Sequence, residues 1–330
     1  VSVWSFEVLD LPLKMDWKIS HGSAKSKPVG IVRIKSEGFE GLGEVAESTG
    51  SGLMRSYKKQ FENLRFPTDL ESVAPRIANL QVANPLKVGI ETALLRWHSA
   101  KLGSCFYQSL GCEPPGLVQT SHSVPILWAK EVEAYIEKFD LQRFSSLKVK
   151  VSGGSRDVEM LKEVARCFSG TLRIDANESF KTAKHVLQFL NEIKDLPVEF
   201  LEQPLPQGAV DESVELKSKS LVTIVGDESL QGGEVSETHA KQFHGVNVKV
   251  MKAGGLANAH RQIQQAKALG LKVMLGCMVE TSLGISTAFA LGGGVDWYDL
   301  DGFLLFEKDP HGLIAEHEGV LTLINNSLFR

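Results

Sequence analysis

Eight short apolar runs divide the last two thirds of the chain, and their spacing leaves little choice of fold. They are HSVPI near 124, LKVKV near 149, LRIDAN near 174, VEFLEQP near 201, TIVGDES near 226, VNVKV near 248, VMLGCMVE near 277 and WYDLDG near 299. Each run ends in a polar or charged residue, and helical stretches fill the intervals. Neighbouring runs stand about 25 residues apart, the length of one strand, one helix and two loops. Eight such units predict a TIM-like (β/α) barrel. The alternative, a doubly wound open sheet, normally uses fewer strands, and no GxGxxG turn is present to start a dinucleotide site.

The first part of the chain mixes strand and helix patterns. Residues 29–35 read as a strand, followed by the turn and extended piece GFEGLGEVAE. Asn84–Leu102 carries apolar residues at helical spacing and stops at Gly103. Pro114-Pro115-Gly116 marks a domain boundary. The expected division is therefore an α+β domain over 1–115 and a barrel over 116–307, with the tail 308–330 returning to the first domain. The chain's 330 residues suit that organisation.

Composition excludes several functions. A net charge of −4 and a pI near 6.2 give no basic face for nucleic acid or an anionic membrane. Cys105, Cys112, Cys167 and Cys277 form no CxxC pair, which argues for free thiols in a reducing compartment. No stretch reads as a signal peptide, and the apolar run 283–295 is too short and Gly-rich to span a bilayer. A soluble, cytoplasmic protein is the expectation. Gly292-Gly293-Gly294 lacks the GKS or GKT of a phosphate cradle, Gly254-Gly255 reads as a tight turn into a helix, and the nine histidines form no HExxH spacing.

The chemistry lies in the residues that end the runs. Barrel active sites form at the C-terminal ends of strands, and strand residues alternate between faces. With Leu147, Val149 and Val151 directed to the helices, Lys148 and Lys150 face the barrel interior. By the same parity Asn247 and Lys249 face in, and Lys252 lies beyond its strand. Asp175, Glu202 and Asp227 end three successive runs. A single strand-end Asp is ordinarily a turn former or helix cap. Three on neighbouring strands converge and repel unless a cation neutralises them. An all-oxygen set suits Mg²⁺, or Mn²⁺ by the same chemistry, and excludes a typical zinc site. Lysines could simply pair with these carboxylates. Positive neighbours such as Lys148 and a metal ion would instead depress a lysine's pKa and make it a usable base. On the last run Asp299 and Asp301 share a face.

These motifs, Lys148-Val149-Lys150, Ile174-Asp175-Ala176-Asn177, Glu202-Gln203-Pro204, Gly226-Asp227-Glu228-Ser229 and Asn247-Val248-Lys249, resemble the enolase superfamily in its muconate-lactonising subgroup. The resemblance spans nearly the whole chain. It implies a modified (β/α)7β barrel with an α+β capping domain. It further implies Asp175, Glu202 and Asp227 as ligands of one Mg²⁺ per subunit, and Lys150 and Lys249 as acid/base catalysts on opposite faces of the substrate. Lys148, Asn177, Asn247 and Glu228 become supporting residues. The segment 275–285 and the pair Asp299/Asp301 look like those of dipeptide epimerases, in which a DxD motif holds the substrate's α-ammonium. The implied reaction is a two-lysine proton exchange at the Cα of the C-terminal residue, through a metal-stabilised enediolate.

The side-chain preference is less well marked. Relatives acting on Ala-Glu carry an arginine where an ungapped alignment places Gly22, so His21 and Lys25 become the candidate substrate contacts, with surface exposure as the plainer reading. Arg96 falls where relatives often carry an acid and has no functional account at this level. Rival readings are an o-succinylbenzoate synthase or N-succinylamino acid racemase, whose substrates lack the ammonium, and a non-catalytic binding barrel. The expected partner is a small-molecule dipeptide, with no nucleic acid or membrane; a homo-oligomer stays open.

Overall fold

The computed structural model describes residues 2–19, 22–47, 52–66, 74–77, 79–104 and 116–324. Three antiparallel strands, β1 (Val3–Ile19), β2 (Gly22–Ser36) and β3 (Phe39–Ala46), form a sheet in that order. The helices α1 (Met54–Glu62), α2 (Ala74–Ile77) and α3 (Asn84–Leu102) follow. Val32, Ile34 and Val45 meet Leu86, Ile90, Leu94 and Trp97 in one apolar cluster, which buries the face of α3 that the helical spacing predicts. The packing is close because β3 presents glycine: a Cβ at Gly43 would collide with the Gly89 carbonyl oxygen of α3.

After β4 (Val118–Gln119), which lies outside the barrel sheet, the barrel begins with β5 (His122–Val124). It continues through α4 (Ala129–Lys138), β6 (Ser146–Lys150), α5 (Arg156–Cys167), β7 (Thr171–Asp175), α6 (Ala183–Glu192) and β8 (Val198–Glu202). Next come α7 (Val210–Lys219), β9 (Thr223–Gly226), α8 (Glu237–Gln242), β10 (Gly245–Lys249), α9 (Val250–Ala253) and α10 (Leu256–Ala268). Finally β11 (Lys272–Gly276), α11 (Ser282–Phe289) and β12 (Trp297–Asp299) complete it. The strands β5 to β12 form one eight-stranded parallel sheet in sequence order. A bridge from Thr120 to Tyr298 and a bond from Leu300 N to Thr120 Oγ1 (2.9 Å) bring its two edges together. After β12 the chain makes only a 3-10 turn over Gly302–Leu305. Seven strand–helix units and one last strand thus give the (β/α)7β arrangement.

All eight apolar runs are strands, with the expected parity. Leu147, Val149, Val246 and Val248 are fully buried against the helices. Inside the barrel, Phe200, Val225, Met274 and Trp297 form an apolar floor. Arg173 is tied into that floor by Glu199 (2.7 Å), which also accepts from Trp297 Nε1 (2.7 Å). The polar strand ends sit one layer above. The tail strands β13 (Ile314–His317) and β14 (Val320–Leu323) hydrogen-bond to β4, forming a sheet separate from β1–β3, while Leu313 packs with Leu13, Trp17 and Ile31. Pro114, Pro115, Cys105 and Cys112 lie outside the described residues; Cys167 and Cys277 are free thiols. No described helix is long and apolar enough to cross a membrane.

Buried carboxylates tie the first domain to the barrel. Glu44 of β3 accepts from Thr281 N (2.9 Å), Thr281 Oγ1 and Gly284 N (2.9 Å), at the N-terminus of α11. Glu91 of α3 accepts from Leu256 N (2.7 Å), at the start of α10, and Asn84 donates to the Lys252 carbonyl (2.8 Å). Arg96 also finds a structural account. Its guanidinium, 1% exposed, donates to Leu42 O (2.9 Å) within the cap and to Leu283 O (3.1 Å), Ser286 and Thr287 of α11.

Burial pushes Glu91 up to about 7, and burial followed by its neighbour Glu280 pushes Glu44 up to about 8, from an ordinary value of 4.5. A carboxyl raised on folding binds more protons in the folded chain than in the unfolded chain between its two pKa values. Stability therefore falls as pH rises through that window. The melting temperature should drop between about pH 5 and about pH 8. Glu91→Gln, which keeps an oxygen acceptor without the charge, should flatten that drop by a few degrees in thermal unfolding. Equal slopes in the two proteins would refute the assignment.

Candidate active site

The polar ends of β6 to β12 converge at the mouth of the barrel, around a cavity of about 390 Å³. Asp175 and Glu202 are fully buried and Asp227 is 3% exposed. Lys148 stands between them, with Nζ 2.7 Å from Glu202, 3.1 Å from Asp175 and 2.7 Å from Asp299. Lys150 Nζ lies 2.5 Å from Asp175, and Lys249 Nζ lies 2.8 Å from Asp227. In strand order the three carboxylates lie between β6 and β10, so Lys150 and Lys249 approach from opposite sides.

The supporting residues are in the same layer. Asn247 donates to Glu202 (2.7 Å), and Asn177 donates to Glu228 (3.1 Å). A side chain at position 276 would displace Asn247, since a Cβ there would overlap its amide oxygen, so Gly276 leaves room for the bond to Glu202. The backbone just past the carboxylates is unusual. Asn177 (φ 41°), Glu178 (φ 64°) and Gln203 (φ 34°) adopt the left-handed region without being glycine. They are held there by Glu178 N to Gln203 O (2.7 Å) and by Gln203 Oε1, which accepts from Asp227 N (2.8 Å) and Ser229 N (3.1 Å). Strain held by such over-determined bonding is typical of sites where geometry matters.

The charges do not all behave alike. Burial would raise Asp175, but Lys148 and Lys150 outweigh it and hold the carboxyl well below the usual range. Asp227 is held low in the same way by Lys249 and Lys252. Glu202 is not: burial and then Asp175 push it up to about 7 despite Lys148. Glu228 is pushed up to about 8 by burial and then by Asp227. Within the trio, Glu202 alone is pushed toward the neutral form. The trio's donors are all oxygens, and Asp175, Glu202 and Asp227 are the residues that could hold a hard divalent cation. Among the described residues no group of three such side chains is set for joint coordination in this arrangement, and Lys148 and Lys150 contact oxygens of Asp175 and Glu202.

Lys148 faces three carboxylates and still acts on Lys249 as a like charge that lowers it, as expected of a positive neighbour. Lys249 does not shift downward: burial would lower it, yet Asp227 outweighs burial and raises it above its ordinary value. In this arrangement the ammonium form is the favoured one.

Asp299 and Asp301 both line the cavity. Asp299 accepts from Lys148 and from Ser121 Oγ (2.9 Å) and is held low because Lys148 outweighs burial. Asp301 accepts from Ser123 N (2.6 Å) and is pushed up to about 7 by burial and then by Asp299. Lys25 is exposed on β2 and is not brought to the cavity; His21 lies outside the described residues. Sequence reasoning placed Lys252 beyond its strand and gave it no role; it contacts the Asp227 carboxylate and carbonyl from the turn of α9. Its spacing from Lys249, one helical turn, is the signal that could have found it. Trp17 and Glu47 also line the cavity, and only the docking of the first domain reveals them.

Comparison with known proteins agrees with this geometry. Residues 129–297 match the family described as Enolase C-terminal domain-like. An L-Ala-D/L-amino acid epimerase of Pedosphaera parvula (strain Ellin514) is 32% identical, over 95% of this chain and 93% of that protein. A hydrophobic dipeptide epimerase of Flavobacteria bacterium (strain MS024-2A) is 30% identical, over 94% of this chain and 92% of the relative. Among solved structures, a dipeptide epimerase from Methylococcus capsulatus, complexed with Mg and the dipeptide L-Arg-D-Lys, superposes with a TM-score of 0.83. It is 25% identical, covering 98% of this chain and 96% of that one. Eight parallel strands, their carboxylate ends and these whole-length likenesses lead to one conclusion: the chain belongs to the enolase superfamily.

Proposed function

We propose that the chain is a dipeptide epimerase, an isomerase that inverts the Cα of a dipeptide's C-terminal residue. The observation that carries this reading is the pair Lys150 and Lys249, set on opposite sides of one carboxylate trio. Inversion requires a proton to leave one face of a carbon and another to arrive on the opposite face, which two opposed amines supply. One lysine, as the neutral amine, takes the α-proton; the other, as ammonium, delivers a proton to the opposite face. Asp175 pairs with Lys150 (2.5 Å), and Asp227 pairs with Lys249 (2.8 Å) and favours its ammonium form.

Asp175, Glu202 and Asp227 would hold Mg²⁺, as the named Mg-bound relative supports. When bound, Mg²⁺ supplies positive charge where negative charge builds on the substrate carboxylate. Asp299 and Asp301 face the other end of a substrate and suit an α-ammonium group. Free Cys167 and Cys277 are consistent with work in the reducing cytoplasm. A second reading has one observation in its favour. Lys148 already neutralises Asp299 at 2.7 Å, which would suit an N-succinylated substrate with no ammonium to bind.

Mass spectrometry of L,L-dipeptides incubated with enzyme and Mg²⁺ in D₂O tests the reading. The expected result is deuterium at the C-terminal Cα. Lys150→Ala and Lys249→Ala should each lose epimerisation by at least about a hundredfold, while each still exchanges the proton of one epimer only. Exchange with N-succinylamino acids and none with dipeptides would replace this reading by the second. A calorimetric titration with Mg²⁺ should give a binding isotherm that Asp227→Asn weakens; undiminished binding would remove Asp227 from the ligand set.

A further inference from the structure

The cavity has a barrel side and a cap side. The lysines and carboxylates described so far belong to the barrel. Among the described residues the cap contributes two to the lining, Trp17 of β1 and Glu47, the residue after β3. An indole face and a carboxylate are complementary groups for holding an organic cation.

Glu47 is 3% exposed, and its Oε2 accepts no hydrogen bond among the described residues. A buried carboxylate oxygen without a donor is costly and calls for an answering charge. The barrel's cations do not provide one, since Lys148, Lys150, Lys249 and Lys252 are all taken by Asp175, Glu202, Asp227 and Asp299. Lys27, also buried, donates to the main-chain carbonyl of Glu47 (2.6 Å) and feels the charge of the carboxylate, which raises it against the larger effect of burial, but no ion pair within 4.0 Å joins them among the described residues, and Oε2 is left without a donor. Around Trp17 the wall is apolar: Val279 and Leu305 belong to its cluster and also line the cavity. Such a wall accommodates the methylene stem of a long side chain whose charged head lies further on.

We infer that Trp17 and Glu47 receive a side chain of the dipeptide, and that Glu47 selects a cationic one, lysine or arginine. This rests on the dipeptide reading. There the two charged ends of the substrate are taken by the carboxylate trio with its metal and by Asp299 with Asp301, and a side chain is left to meet the cap.

The test is a comparison of matched substrates in the deuterium-exchange assay: L-Ala-L-Lys against L-Ala-L-norleucine, and L-Lys-L-Ala against L-norleucine-L-Ala. Each pair differs by the ammonium group, so the ratio of kcat/KM values reads the charge contact. One of the two ratios should favour lysine by at least about tenfold. In Glu47→Gln that ratio should fall toward one, and Glu47→Asp should retain part of it. Exchange that shows no preference for lysine in either pair, or a preference that persists in Glu47→Gln, overturns this inference alone. No exchange with any dipeptide overturns the dipeptide reading and this inference together. If Glu47→Gln fails to fold, Glu47→Asp and the wild-type ratios still decide it.

Discussion

The mouth of the barrel buries more charge than its surroundings can solvate, and the fold is arranged around balancing that charge locally. Lys148 is the hub. It is buried and shared among Asp175, Glu202 and Asp299, from three different strands. Removing it would leave uncompensated buried carboxylates, a far greater loss than the breaking of a surface pair. Below this layer, Phe200, Met274 and Trp297 close the barrel with apolar surface. The charged layer therefore has solvent on one side only, and electrostatic interactions within it are strengthened.

The same economy governs how the first domain sits. Glu44 and Glu91 place carboxylates at the N-termini of α11 and α10, the helices that follow β11 and β10. Each satisfies backbone donors that a helix start leaves open. Arg96 adds a buried cation between Leu42 and α11. Those two barrel segments carry Lys252 and Met278 to the cavity wall. Docking the cap and shaping the site are thus one set of interactions.

Much of this was legible in the amino-acid order because strand parity is strict. Once Val149 and Val248 are assigned to the helices, Lys150 and Lys249 can only point inward. The carboxylates Asp175, Glu202 and Asp227 were readable for the same reason, being at the ends of regularly spaced strands. What parity cannot read is which partner a side chain takes. Lys148 looked like a like-charged neighbour of Lys150, and what parity did not reveal is that it also pairs with residues 27, 54 and 151 positions away. Lys252 was correctly placed beyond its strand, but its contact with Asp227 was not readable, because helical geometry takes over after Lys249. Glu47 and Trp17 depend on contacts between domains, which no local period encodes. Arg96 looked anomalous in a helix and became intelligible only with α11 beside it.

The turn between α9 and α10 shows what such sharing implies for the protein's history. Asn84 and Glu91, from the cap, bind the backbone on either side of Gly254 and Gly255, and a side chain at either glycine would strike them. The two glycines of the barrel and the two polar residues of the cap are therefore a matched set written in separate parts of the chain. A cap exchanged for that of a distant relative would have to bring an equivalent pair with it. Recombination between the domains is constrained at this seam.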